Sequence, residues 1–131
     1  MKIEEELIRD EGLRLSLYPD SVGKWTIGVG RNIEDRGIHA DEAILMLKND
    51  IIDARESAEK FEWYHELSDD RKKVIINMIF NLGETKFRQF KKMIAALERE
   101  DYESAADEML DSRWAYQVGP RATRLVKRMR G

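Results

Sequence analysis

The chain has 131 residues, 37% charged and 42% hydrophobic, with a net charge of −3, which fits one helix-rich globular domain with a core of its own. With no Cys and only two His, a disulfide framework and a thiolate metal site are excluded and a His-based metal centre is disfavoured. No apolar run approaches the ~20 residues of a membrane span.

Residues 2–11 read as a short amphipathic helix in which Ile3, Leu7 and Glu11 share one face. Glu11 is thus expected on the apolar stripe, with Gly12 as the stop. The acidic start, MKIEEELIRDEG, is neither a signal peptide nor a cleavable anchor, so the protein is expected in the cytoplasm unless something else exports it. Leu13, Leu15 and Leu17 alternate with Arg14, Ser16 and Tyr18 as a half-buried strand. Tyr18-Pro19-Asp20-Ser21 has turn chemistry. A second strand carries Trp25, Ile27 and Val29 on one face and Lys24, Thr26, Gly28 and Gly30 on the other. Its two glycines leave a bare surface that suits close approach. Asn32 to Gly37 is a polar loop or short third strand.

His39 to about Phe61 is a long helix whose predicted buried face is Ala40, Ala43, Ile44, Leu47, Ile51, Ala54 and Ala58. Ser68 is an N-cap followed by two first-turn acids. VIINMIFNLG, residues 74–83, is apolar almost all round and reads as the central buried helix, interrupted only by Asn77 and Asn81. Helices follow at about 85–99, 101–111, 113–117 and 120–129, the last with Pro120 in its first turn. Residues 112–131 hold six of the 23 basic side chains and no acid, leaving 17 basic against all 26 acidic side chains elsewhere. That basic segment is either a solvated face or a surface for an anionic partner. Nucleic acid is not expected, because no readable binding motif is present and the chain is acidic. The pattern is α+β, mostly α.

Glu11, Asp20 and Thr26 bring two carboxylates and a hydroxyl into one compact stretch. Glycoside cleavage needs a protonated carboxyl near the leaving oxygen and an ionised carboxylate on the other side. An apolar face and a helix C-terminus both favour the neutral form of Glu11. A polar turn favours the charged form of Asp20. Thr26 offers a hydroxyl to hold an attacking water.

The stretch EGLRLSLYPDSVGKWTIGVG resembles the signature of phage-type lysozymes, the endolysins of glycoside hydrolase family 24: a Glu, eight residues, an Asp, five residues and a Thr. INMIFNLGETKF (76–87) and SRWAYQVGPRA (112–122) are similar to the family's central helix and late helical corner. The resemblance implies a single domain over 1–131. It would have a small β-containing N-terminal lobe at roughly 1–38, an interlobe helix at about 39–61 and a helical lobe at 62–131. It implies cofactor-free, metal-free hydrolysis of the β-1,4 bond between N-acetylmuramic acid and N-acetylglucosamine in bacterial peptidoglycan. Glu11 would be the general acid. Asp20 would assist the water or steady the oxocarbenium-like charge, and Thr26 would place the water. Asn32 and Phe80 match positions lining the substrate cleft, and Arg121 matches an arginine that approaches and modulates the catalytic Glu. The family further implies a monomer that stays in the host cytoplasm until lysis. It would then act on the wall in the periplasm, reaching it through a separate holin.

The chain also departs from the family. Arg31 stands where a His is common, and an ion pair with Asp50 is expected for it. The stretch before the long helix is short, and other cleft positions fall on Met93 and Glu108, which match poorly. Two other readings stay open. A lytic transglycosylase needs an essential Glu but no water nucleophile, and Asp20 and Thr26 at hydrolase spacing oppose it. A non-catalytic peptidoglycan-binding lysozyme-like protein is opposed by the intact triad.

Overall fold

The computed structural model describes residues 1–131. It contains ten helices and one three-stranded antiparallel sheet, the α+β, mostly α, composition of a lysozyme-like fold. The chain divides into two compact units, residues 1–46 and 47–131.

In the first unit, α1 spans Ile3–Glu11 and ends where Gly12, at φ 81°, turns the chain and donates its N–H to Ile8 O. Strands β1 (Arg14–Pro19), β2 (Trp25–Gly28) and β3 (Arg31–Asn32) follow in the order β1-β2-β3. The segment after β3 forms α2, Ile33–Arg36, where a loop or strand is expected. Asn32 is the cause. Its side chain accepts the Asp35 N–H, and acids occupy the first turn of the helix it starts.

Helix α3, Ala40–Glu59, begins in the first unit and ends in the second. Of its predicted buried face only Ala54 and Ala58 are buried. Nor does α1 bury any residue, and Leu13, Leu15 and Leu17 of the first unit are exposed, Leu15 at 85%. The physical reason is common to all three. An apolar stripe is buried only if another element offers it a face, and the apolar core lies entirely within residues 54–129. The sole buried residue of the first unit is Thr26, 2% exposed.

The second unit is organised on α5, Asp69–Leu82, which Ser68 caps by accepting the Arg71 N–H. Val74, Ile75, Met78 and Ile79 of α5 are buried, as its apolar sequence predicts. The short α4, Glu62–His65, precedes it. The helix expected at 85–99 is broken into α6 (Glu84–Phe87) and α7 (Lys91–Glu98). Tight three-residue hydrogen bonds, Gln89 N–H to Lys86 O and Phe90 N–H to Phe87 O, end α6 early. The break lets Phe87 enter the core while Phe90 packs edge-on to Trp114. Helices α8 (Tyr102–Leu110), α9 (Arg113–Val118) and α10 (Pro120–Arg130) complete the unit, with α10 packed on both α5 and α8.

Polar contacts fasten α10 to α5 along its length. Arg121 donates to Asn77 Oδ1 through Nε and NH2 at 2.9 and 2.7 Å. Arg128 pairs with Asp70 at 2.9 Å. Arg71 donates to the terminal carbonyls of Met129 and Arg130 at 2.7 and 2.9 Å. Asn81, the other polar residue of the central helix, accepts the Trp114 Nε1–H at 2.8 Å. Arg130 meets Glu103 and Asp107. Arg128 and Arg130 are therefore paired with carboxylates, so the basic segment is less of an open cationic face than its sequence suggests.

Helix α7 ends in a Schellman motif. Asp101 donates its N–H to Ala96 O, Glu100 donates to Leu97 O, and Glu100 sits at φ 58°. It is the only non-glycine residue with positive φ. Glu100→Gly is expected to stabilise the fold by about 0.5–1 kcal/mol, the relief of left-handed strain less the entropy glycine adds to the unfolded chain. An unchanged or lower urea midpoint would count against this.

Candidate active site

Each member of the predicted triad has its place set by local backbone. Asp20 follows β1 in a turn that its own groups hold together. Its Oδ1 accepts the N–H of Val22 and of Lys24, both at 2.9 Å. Its own N–H goes to Lys24 O at 2.9 Å. The turn reading of Pro-Asp-Ser is therefore correct, but it uses one carboxylate oxygen and leaves Oδ2 outside those bonds. Thr26 lies in β2, opposite Tyr18 of β1 and Asn32 of β3. Its hydroxyl donates to Lys24 O at 2.9 Å. The backbone N–H and C=O of Lys24 thus anchor both Asp20 and Thr26, a connection that residue types alone do not reveal.

Glu11 is the last residue of α1 and is exposed. The burial expected from its apolar stripe is absent, since α1 buries nothing. Its side chain lies instead against Gly30, in the turn between β2 and β3. Asn32 follows on β3, where its amide caps α2 and donates to Asp35 Oδ2 at 2.9 Å. Glu11, Asp20, Thr26 and Asn32 all belong to the first unit.

Phe80 and Arg121 belong to the second unit, where both line one cavity of about 410 Å³ beside Ile51, Arg55 and Asn77. Phe80 is 43% exposed, unlike its buried neighbours on α5. Arg121, which needs a partner because a cation is unfavourable in a first helical turn, has Asn77 as that partner.

The acid that Arg31 meets is Glu42 rather than Asp50. Glu42 also accepts the His39 N–H at 2.7 Å, the reciprocal half of a capping box at the start of α3. His39, Asp41 and Glu42 place possible metal-ligand atoms within 4.8 Å of one another, but Glu42 is already engaged by Arg31 and the backbone. The Arg31 guanidinium, then the His39 N–H, pull the Glu42 carboxyl down from 4.5 to about 2. A carboxyl whose folded value is lowered contributes stability that is present above the unfolded value and lost as pH falls through the folded one. Melting curves of the wild type and Glu42→Gln should therefore differ above pH 4.5 and converge as pH falls to about 2. Curves that stay parallel across that window would remove the charge pairing as the cause.

A helix-ending Glu, a turn Asp with a spare oxygen and a strand Thr lie together in the first unit of a mostly α chain with a small sheet, the composition of a lysozyme-like fold. Residues 9–130 match the family described as phage lysozyme, and the chain belongs to that family. It is similar to two proteins of Dictyostelium discoideum, probable T4-type lysozyme 1 at 32% identity and probable T4-type lysozyme 2 at 28%. Each match covers 95% of this chain and 91% of the relative. It is also 27% identical, over 96% of its length, to the pre-baseplate central spike protein Gp5 of Enterobacteria phage T4, of which it spans 27%. Each alignment runs over 155 positions against a chain of 131 residues, so these relatives carry segments that this chain lacks.

Proposed function

We propose that the chain is an endolysin that hydrolyses the β-1,4 bond between N-acetylmuramic acid and N-acetylglucosamine in peptidoglycan. The observation that carries this reading is the shared anchor at Lys24, whose backbone N–H holds the Asp20 carboxylate and whose C=O holds the Thr26 hydroxyl. Glu11 protonates the glycosidic oxygen as the bond to the anomeric carbon breaks. Thr26 has committed its only proton to Lys24 O, so its oxygen accepts from a water and leaves that water's lone pair for attack. Asp20 presents Oδ2 either to take the water's proton or to steady the oxocarbenium-like charge. Asn32 and Phe80 contact the sugar chain.

Clearing of a peptidoglycan suspension, followed by product mass, tests this. Ordinary reducing ends support hydrolysis. A 1,6-anhydro end would instead mean a lytic transglycosylase, and no clearing would mean a non-catalytic wall-binding protein. No helix is long and apolar enough to cross a membrane. Under this reading the monomeric enzyme waits in the host cytoplasm and reaches the wall in the periplasm through a separate holin.

A further inference from the structure

We infer that Gly30 is a positioning residue for Glu11: its missing side chain is the space in which the Glu11 carboxyl is held. This rests on the catalytic role proposed for Glu11. A Cβ built on Gly30 would stand 2.7 Å from Glu11 Oε2, 3.0 Å from Cδ and 3.2 Å from Cγ. Real Cβ atoms do not approach that closely, so the carboxyl would have to move. It is the far end of a flexible side chain, and moving it costs less than breaking the turn. A Gly30 side chain would therefore shift Glu11 rather than unfold the unit.

Gly30 meets two requirements that are separate elsewhere. Its φ of +64° favours glycine on backbone grounds alone. Gly37, in the same unit, has φ +63° and nothing within 4 Å of its notional Cβ. The two glycines share a positive φ, and only Gly30 borders a carboxyl. Comparing alanine at the two positions thus isolates the space from the strain. Misplacing a reacting group by about 1 Å costs on the order of a hundredfold in rate.

The experiment compares Gly30→Ala with Gly37→Ala in the whole chain. Both should lose thermal stability, since each has a positive φ. Gly30→Ala should lose about a hundredfold in kcat with KM little changed, while Gly37→Ala keeps kcat within about twofold of wild type, the cost of a rotation about φ being a stability term and not a rate term. The Glu11 side-chain carboxyl resonance should move in Gly30→Ala and stay in place in Gly37→Ala. Should Gly30→Ala fail to fold, Gly30→Asn places the same Cβ in a residue that tolerates positive φ. Wild-type kcat in a folded Gly30 variant, or an unmoved Glu11 resonance, would overturn the inference. A wild type that clears no peptidoglycan would sink the proposed function instead, and the resonance would still decide the role of Gly30.

Discussion

Replacing Glu11 by Gln is expected to abolish wall lysis while leaving the melting temperature nearly unchanged. The substitution keeps the shape of the side chain against Gly30 and removes only the proton it donates. Helix α1 buries none of its residues, so no core contact is disturbed. A neutral group at a helix C-terminus is slightly preferred over an anion, by about 0.3–1 kcal/mol. A general acid contributes about 10²–10⁴-fold to rate, and the loss should be at least that large. Asp20→Asn should be severely impaired for a complementary reason. The Asn oxygen can still accept the Val22 and Lys24 N–H bonds that hold the turn, so what disappears is charge and not structure. Near-normal lysis by a folded Glu11→Gln protein would remove Glu11 as the acid.

Phe87→Ala should have the largest effect on stability of any single truncation in the aromatic cluster. Phe87 is fully buried and meets Phe61 and Trp63 at centroid separations of 5.7 and 6.3 Å, with Phe61 and Trp63 themselves 4.9 Å apart. Truncating a buried Phe costs about 3–5 kcal/mol in lost transfer energy and cavity. Chemical denaturation would measure it, and a loss below about 1 kcal/mol would mean the surrounding rings collapse into the gap. Phe80→Ala, at an exposed position on α5, should cost far less stability while weakening wall binding if Phe80 contacts sugar.

What could be read from the sequence depended on whether the signal was local. Gly12, Ser68 and Gly83 end or start helices through their own backbone or side chain, so α1 and α5 were legible. So was the Glu11, Asp20 and Thr26 spacing. Burial of Ile3, Leu7 and the β1 leucines was not, because periodicity reports that a stripe is apolar and says nothing of whether a facing surface exists. The break after Phe87 was hidden for a similar reason, since it exists to seat Phe87 and Phe90 against residues distant in sequence. The partner of Arg31 was misplaced because Glu42 and Asp50 lie on the same helix, and only geometry selects between them. The anchor at Lys24 is not legible in the sequence, because it is made by a backbone N–H and C=O and not by the side chain.

The ties along α10 have a consequence for how the second unit opens. A helix ordinarily frays from its ends, giving up one turn at a time with little cost to the rest. Here the last carbonyls of α10 are gripped by Arg71 in the first turn of α5, and its first turn is gripped by Asn77 further along the same helix. Stepwise unravelling is replaced by an opening in which α5 and α10 part together, so amide protons near Met129 acquire the exchange protection normally seen mid-helix.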